Sequence, residues 1–352
     1  MATTEEKRKI WSIGKSKESK TGKGRKGTYV VSIPVAWAEQ VGGDGTEIIV
    51  SSYKGGLLLS PGGLWNEPKE FPLSVRDQSI SLLKYKIISA YLNNYEEIRV
   101  ICEKPREDLE TLLKELNDKL LGFSYANTGK NETVIAMSTT VKPVYGILQK
   151  MLSQAHLIHE INQDAFSDFR IAKAKSEKVE EIERDIDKYS YLVKRLFCVA
   201  AEQPEEYGQI GIGDLPRLVH WETLNTNLER VGDLQHEINL ELQRYSENKK
   251  KPDVLSTPSY SFKDYHAAAQ KMIDDAYSQD PNKITEILDA KKFAEEDPKH
   301  RGNYIPLEKA KSIQSMVLNN PELRCLDVRI WGLTGCATNI AEAWLNMKGP
   351  LL

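Results

Sequence analysis

Apolar residues in the second half of the chain recur at the three- and four-residue spacing of amphipathic helices. One series consists of Val179, Ile182, Ile186, Tyr189, Val193, Leu196 and Ala200. A second consists of Trp221, Leu224, Leu228, Val231, Gln235, Ile238, Leu242 and Tyr245, and a third of Leu323, Leu326, Ile330, Leu333, Ala337, Ile340, Trp344 and Met347. Because a helix buries such a stripe against its neighbours, the chain from Val144 onward is predicted to form packed helices.

The helical part shows signs of an internal repeat. The second and third series superimpose at an offset of 102 residues, and at the same offset Ile182 falls on Ile284, although the first helices do not align convincingly. This predicts two related helical segments, 141–250 and 258–352, divided near Lys249–Ser261, where prolines and serines interrupt the pattern. The alternative is that any two amphipathic helices match in their apolar positions.

The N-terminal segment, residues 1–62, has the short β-branched runs and glycine-rich turns of strands. Strands are predicted near Ile10 and at Thr28–Ile33, Glu47–Ser51 and Leu57–Leu59, with one short helix between Pro34 and the Gly42–Gly43 pair. A unit of this size is too small for a stable core of its own. We therefore expect it to associate through its sheet.

Residues 75–140 are predicted to form a small α+β domain that links the two parts. The predicted elements are helices at Gln78–Asn93 and Glu107–Leu120, a strand at Ile98–Cys102, and strands around Phe123 and Val134. No motif in this segment carries recognisable chemistry.

Cysteine usage and hydropathy indicate a cytoplasmic protein. The four cysteines, Cys102, Cys198, Cys325 and Cys336, show no C-x-x-C spacing, which argues against a zinc ribbon or a disulfide scaffold. The start of the chain is charged from Glu5 to Lys9, and no run of about 18 apolar residues occurs. The sequence thus predicts neither export nor a transmembrane segment.

Charge is distributed unevenly along the chain. Residues 1–30 carry nine Lys or Arg against three Glu, a net charge of +6, so the remainder must carry −9 to give the overall −3. The N-terminal segment is therefore the part suited to a polyanion.

Three runs in that segment, Thr28–Ala38, Gly45–Val50 and Gly56–Pro61, resemble the SpoVT/AbrB family of swapped-hairpin domains. The resemblance implies a homodimer in which two chains interlock their hairpins into one barrel, and it implies binding to duplex DNA through basic residues. The candidates lie in a loop between the first two strands: Lys15, Lys17, Lys20, Lys23, Arg25 and Lys26. Such a loop suits contacts to phosphates rather than to bases. Alternatively, the loop only keeps the chain soluble.

The segments Val179–Asp187 and Asn227–Ile238 resemble the second and third helices of a PhoU three-helix repeat, and Asn339–Glu342 resembles its closing segment. The resemblance implies tandem three-helix bundles and, together with the N-terminal segment, an archaeal PhoU-type regulator of phosphate uptake or phosphate-responsive transcription. We expect a regulator and not an enzyme. The alternative is a dimeric adaptor that contacts a phosphate ABC-transporter ATPase, or another signalling protein, without binding DNA.

PhoU proteins carry Glu/Asp-x-x-x-Asp motifs, and the resemblance places a metal cluster of Fe, Zn, Mn or Mg at Glu183, Asp187, Glu229 and Asp233. Each pair is spaced four residues apart and so projects from one helical face. The alternative is that these acids are solvated and paired with Lys178, Arg184, Lys188 and Arg230. At the repeat offset the four positions become Thr285, Asp289, Trp331 and Gly335, so at most one cluster is expected per chain.

Other candidate chemistry is weak. The glycines of Gly208–Gly213 follow an acidic loop rather than a strand, which argues against nucleotide binding. His156 and His159, with Glu160 beside them, can hold a metal, but a polar helix edge explains them as well. Asp233 and His236 supply only one imperfect half of a ferritin-like di-iron motif.

Overall fold

The computed structural model describes residues 10–13, 28–40, 42–45, 47–53, 56–61, 69–75, 78–102, 107–129, 131–139, 142–202, 207–247, 262–296, 313, 315, 317 and 323–348. The chain divides into two compact units, Met1–Glu67 and Pro68–Leu352. The three later predicted segments all fall within the second unit, which is mainly helical.

The first unit has the predicted order of strand, strand, short helix, strand, strand. Strand β1 (Ile10–Ile13) pairs antiparallel with β2 (Thr28–Val31), helix α1 spans Val35–Gln40, and β3 (Ile48–Tyr53) forms a hairpin with β4 (Gly56–Pro61). Among the described residues these strands form two separate two-stranded sheets. The barrel closed by a second chain stays a prediction.

Proline and glycine bound the short helix α1, as the sequence predicts. The carbonyl of Pro34 accepts hydrogen bonds from the backbone N–H groups of Trp37 and Ala38, at 3.1 and 3.0 Å. The chain then turns through Gly43, whose φ of +75° lies in the left-handed region that favours glycine.

The second unit begins with a four-stranded sheet and two helices. Its elements are β5 (Glu70–Val75), α2 (Ile80–Leu92), β6 (Glu97–Cys102), α3 (Glu107–Lys119), β7 (Phe123–Asn127) and β8 (Glu132–Met137). The strand order is β5-β6-β8-β7, with β5 parallel to β6 and the other pairs antiparallel. Alternate strand residues such as Val100 and Ile135 pack with Leu83, Ile87 and Leu116 of the helices in one core.

Strand β5, which adds residues 70–75 to the sheet of the predicted 75–140 segment, is absent from the sequence prediction. The physical reason is Pro72, because proline within an apolar run argues against a strand. Strand β5 lies at the sheet edge and pairs only with β6. An edge strand tolerates a residue that has no N–H to donate.

The remaining helices are α4 (Val144–Ser167), α5 (Arg170–Ala174), α6 (Ser176–Glu202), α7 (Tyr207–Ile210), α8 (Leu215–Glu247), α9 (Phe262–Tyr277), α10 (Pro281–Glu296) and α11 (Arg324–Lys348). Helices α4, α6 and α8 pack on one another, and α9 packs with α10 and α11. Across the two sets, α8 contacts α11 and α4 contacts α9. All members of the second and third predicted apolar series are buried, which confirms both helical faces.

Two segments that carry the PhoU resemblance meet where α8 contacts α11. The side-chain amide of Asn339 donates to the side-chain carbonyl of Asn227 at 3.0 Å. Nearby, a Cβ atom added to Gly332 would lie 3.0 Å from Leu234 Cδ1, so this glycine lets the two helices approach closely. The contact therefore depends on small and polar residues as well as on the apolar seam.

Arg195 joins the helices to the sheet. It is fully buried on α6, and its guanidinium donates to the backbone carbonyls of Tyr91, Tyr95 and Met137 and to the hydroxyl of Thr139. A buried cation must be hydrogen-bonded on all sides to offset its lost hydration. Arg195 thus bonds α6 to three backbone carbonyls of the α+β part.

Candidate metal centre

A glycine brings α8 close to α6 beside the predicted acidic residues. A Cβ atom added to Gly232 would lie 2.8 Å from Ile186 Cδ1 and 3.1 Å from its Cγ2. Asp233 follows this glycine directly, while Glu183 and Asp187 lie one turn apart on α6 on either side of Ile186 in sequence. The glycine contact therefore fixes the separation of the two helices at the point where their carboxylates meet.

Three of the four predicted ligands converge. One carboxylate oxygen from each of Glu183, Asp187 and Asp233 lies within 4.8 Å of the other two, and all three residues are half-buried. Among the described residues, no other group of three acidic, histidine or cysteine side chains lies this close together. Three oxygen ligands gathered in this way suit a hard divalent cation.

The fourth predicted ligand, Glu229, is not among the three acids that converge. Its carboxylate accepts a hydrogen bond from the hydroxyl of Ser190 and forms an ion pair with Lys194 at 2.9 Å. Glu229 and Asp233 are one turn apart, a rise of about 6 Å along α8. One turn is enough to place Glu229 opposite a different part of α6.

The clustered carboxylates disturb one another's protonation. Burial and the neighbouring charges of Asp187 and Asp233 raise the pKa of Glu183 to about 7. Burial also raises the pKa of Asp233, and Glu229 and Asp187 act in the same direction. Like charges held together in a partly desolvated place favour either a bound proton or a bound cation.

The predicted alternative, in which nearby basic residues neutralise these acids, holds for one pair. Arg230 lies 3.4 Å from Asp233, with both side chains partly exposed. Lys178, Arg184 and Lys188 instead pair with Glu181, Glu180 and Asp185 of α6. From α6, Arg184 still acts on the cluster at a distance, because its charge opposes the rise in the pKa of Glu183.

A lysine from the α+β part reaches the cluster, and sequence analysis missed it. Lys119, the last residue of α3, places its ammonium 3.2 Å from Asp187 Oδ2 and over the ring of Tyr191. Burial opposes its charge, but Asp187 and Tyr191 outweigh this and raise the pKa of Lys119. No local signal marks this residue, because the contact depends on how α3 packs against α6.

The cluster borders an open cleft of about 600 Å³. Its walls come from α3 and α6 and include Glu115, Asp118, Lys119, Glu183 and Asp187. A cation therefore has a solvent route to the site, and the acidic walls attract it.

Two further sequence expectations concern the helices. At the repeat offset, Thr285 donates its hydroxyl to the carbonyl of Pro281, while Asp289 and Trp331 are exposed. His156 and His159 differ in burial. His156 is partly exposed near Glu160 and Asp274, whereas His159 is buried and faces His266 of α9. The polar-edge explanation thus describes His156 and not His159.

His159 belongs to a second polar region that the sequence did not predict. The interface of α4, α8 and α9 buries uncharged polar side chains: His159, Asn162, Gln235, Asn239, His266 and Gln270. Asn162 donates to the backbone and side-chain carbonyls of Gln235, and Asn239 donates to Asn162 at 2.9 Å. Burial lowers the pKa of His159 to about 4 and that of His266 as well.

The six predicted DNA-binding residues, Lys15 to Lys26, lie outside the described residues.

A scan against protein-family models and searches of curated proteins and of solved structures found no match to this chain. Among the described helices, none combines the length and the apolar character that crossing a bilayer requires.

Proposed function

We propose that this chain is a dimeric regulator of the PhoU type, in which the helices bind a divalent cation and the N-terminal unit binds duplex DNA. The observation that supports it best is the convergence of Glu183, Asp187 and Asp233 where α6 meets α8. The sequence motifs that suggested the PhoU resemblance contain all three residues. Control of phosphate uptake or of phosphate-responsive genes is the output that this resemblance implies.

The charge of the cluster supports cation binding. Three ionised carboxylates carry −3, and Lys119 and Arg230, at 3.2 and 3.4 Å, compensate only part of it. A divalent cation such as Mn²⁺, Fe²⁺ or Mg²⁺ neutralises the rest and takes oxygen ligands. If each carboxylate binds through one oxygen, an octahedral ion keeps positions for water or for inorganic phosphate.

Lys119 gives the site a route to the rest of the unit. A cation bound by Asp187 competes directly with the ammonium of Lys119. Since Lys119 ends α3, metal binding releases or reorients a contact between the helices and the α+β part. Ligand occupancy can thus change the packing of two regions rather than one side chain.

Cation binding is tested by titrating the metal-free, full-length protein with Mn²⁺ and following free Mn²⁺ by electron paramagnetic resonance. We expect the Glu183→Gln/Asp233→Asn variant to bind at least about tenfold more weakly, which corresponds to about 1.4 kcal/mol. The matched control is Glu180→Gln/Glu181→Gln, which removes two exposed acids from the same helix. Equal Mn²⁺ affinity in all three proteins would rule out the site.

DNA binding is tested by fluorescence anisotropy across a range of salt concentrations. Replacing Lys23, Arg25 and Lys26 with Ala should reduce the salt slope by up to about three units per subunit. Replacing Lys150, Lys173 and Lys175, which are exposed on helices or just after one, removes the same charge elsewhere and serves as the control. A dimer by light scattering that binds no DNA even at low salt would favour the adaptor function.

A further inference from the structure

The buried interface of α4, α8 and α9 contains a pair of imidazoles in close contact. His159 Nδ1 lies 3.3 Å from His266 Nε2, and the ring centroids are 4.4 Å apart. The side-chain carbonyl oxygen of Gln235 lies 2.7 Å from the same nitrogen of His266. Polar atoms from two other helices, His159 Nδ1 of α4 and the Gln235 side-chain oxygen of α8, thus both lie close to His266 Nε2 of α9.

This separation matches that of two ligands on one metal ion. Zinc–nitrogen bonds of about 2.0–2.1 Å at a tetrahedral angle place two coordinated nitrogens about 3.3 Å apart. Imidazole nitrogen is a preferred ligand of zinc and other borderline metals, and an amide oxygen or water completes such a site. This ligand chemistry differs from that of the oxygen-only cluster on α6.

The hydrogen bonding around the pair allows the exchange of a proton for a metal. In the structure, Gln163 donates to His266 Nδ1 at 2.8 Å, so Nε2 carries the hydrogen and donates it to Gln235. When the hydrogen of His266 moves to Nδ1, Nε2 presents a lone pair, and His159 Nδ1 and Gln235 already do. To orient the metal-bound imidazole in the usual way, Gln163 must turn its side-chain amide so that the carbonyl oxygen accepts the Nδ1–H, and it then gives up its 3.2 Å hydrogen bond to the backbone carbonyl of Lys263.

The partly exposed His156 lies beside the buried pair and close to acidic groups. The ring of His156 lies 5.7 Å from that of His159, and its Nδ1 lies 3.8 Å from Asp274 Oδ1. Glu160 lies beside it, and Asp274 accepts a hydrogen bond from Gln270, which in turn accepts one from Gln235. The negative charge around His156 attracts a cation toward the imidazoles and partly offsets its charge once it is buried.

We propose that His159, His266 and the side-chain carbonyl of Gln235 form a binding site for a borderline transition-metal ion such as Zn²⁺. The site is separate from the carboxylate cluster and uses other residues of α8. An ion bound there links α4 and α8 of one helix set to α9 of the other. Its occupancy therefore stabilises the arrangement in which the two helix sets are packed together.

The site is tested on metal-free, full-length protein titrated with Co²⁺ near neutral pH. A nitrogen-containing, four-coordinate Co²⁺ site absorbs visible light much more strongly than Co²⁺ bound octahedrally by carboxylates and water. We expect a visible band that saturates at one equivalent per chain and disappears when Zn²⁺ is added. The His159→Gln and His266→Gln variants should lose this band.

Two controls separate this site from its surroundings. The Glu183→Gln/Asp233→Asn variant should keep the band, whatever the outcome for Mn²⁺ at the carboxylate cluster. The His156→Gln variant should also keep it, with weaker Co²⁺ affinity at most. Loss of the band in His156→Gln but not in His159→Gln would place the ion at the surface and overturn the proposal.

A measurement on the parent protein guards against variants that fail to fold. With ¹⁵N-labelled histidine, Zn²⁺ should shift the resonances of His159 Nδ1 and His266 Nε2 and leave His236 unchanged. No visible Co²⁺ band and no shift at either imidazole in excess Zn²⁺ would show that the pair is held by hydrogen bonds alone.

Discussion

Helix α8 presents two polar surfaces that differ in charge and in depth. Asp233 contributes to a charged, half-buried cluster against α6, whereas Gln235, two residues later, lies in a fully buried, uncharged region against α4 and α9. Two residues along a helix correspond to a rotation of about 200°, so these side chains point to opposite sides. One helix thus joins both regions.

The difference follows from the cost of removing charge from water. Side-chain amides can donate and accept at once, so Asn162, Gln235 and Asn239 satisfy one another without solvent. Carboxylates only accept, and three together repel, so they persist where water, a lysine or a cation can reach them. The charged region is therefore adjustable by ligands, and the neutral region mainly specifies how the helices pack.

Arg195 is both fully buried and charged, and we expect its replacement to lower the stability of the protein more than the other substitutions below. Replacing it with Met removes one donor from each of three backbone carbonyls, of which Tyr91 keeps only the N–H of Asn94 at 3.2 Å, so we expect the free energy of unfolding to fall by about 3 kcal/mol. Urea denaturation measures this change. Arg184→Met, at an exposed position of the same helix, should change it by less than about 0.5 kcal/mol. A similar small loss for both variants would contradict the anchoring role of Arg195.

The neutral region should respond to the loss of one hydrogen-bonding partner. Asn162→Leu keeps the size of the side chain but deprives Gln235 and Asn239 of a partner, so we expect a loss of about 2 kcal/mol that is nearly independent of pH above pH 7. Urea denaturation at pH 7 and pH 8 measures it. Gln149→Leu, on the exposed face of α4, is the control. An unchanged stability would mean that the amides contribute nothing beyond packing.

The charged region should show the opposite behaviour, with a gain in stability on removing charge. The folded-state pKa of Glu183 is raised to about 7, so folding favours its protonated form and the metal-free protein loses stability as the pH rises through that value. Glu183→Gln should therefore raise the free energy of unfolding by roughly 1 kcal/mol at pH 8 and hardly at all at pH 5. This figure is reduced because water screens a half-buried group.

The same measurements on Glu181→Gln provide the comparison for Glu183. Glu181 is exposed and paired with Lys178, which lowers its pKa, so its replacement should not stabilise the protein at pH 8. Identical gains at pH 5 and pH 8 in Glu183→Gln would show that the carboxylates do not destabilise one another.

Periodicity predicted the helical faces well, because the spacing of apolar residues is a local property of the chain. Helices α6, α8 and α11 bury the predicted series apart from the half-buried Tyr189, and the pairs Glu183–Asp187 and Glu229–Asp233 were correctly placed on helices. Strand β5 was missed because Pro72 violates the local rule, while its edge position, which permits the proline, is set by pairing with β6.

The composition of the candidate site was decided by tertiary packing. Gly232 and Asp233 are visible in the sequence, but only the approach of α8 to Ile186 shows that Asp233 joins Glu183 while Glu229 joins Lys194. Axial register between two helices has no signature in the spacing of either one. A shift of one turn, about 5.4 Å, exchanges one acid for the other.

Contacts between residues that are far apart in the sequence could not be predicted from any local pattern. His159 and His266 are separated by 107 residues, and Lys119 reaches Asp187 from another element of the unit. The sequence determined which residues are helical, which face of each helix is apolar, and where acids and imidazoles occur. The packing of α3, α4, α6, α8 and α9 decided which of these side chains meet. Folding buries whole apolar helix faces because their removal from water is favourable, and the polar groups beside those faces come together as a consequence.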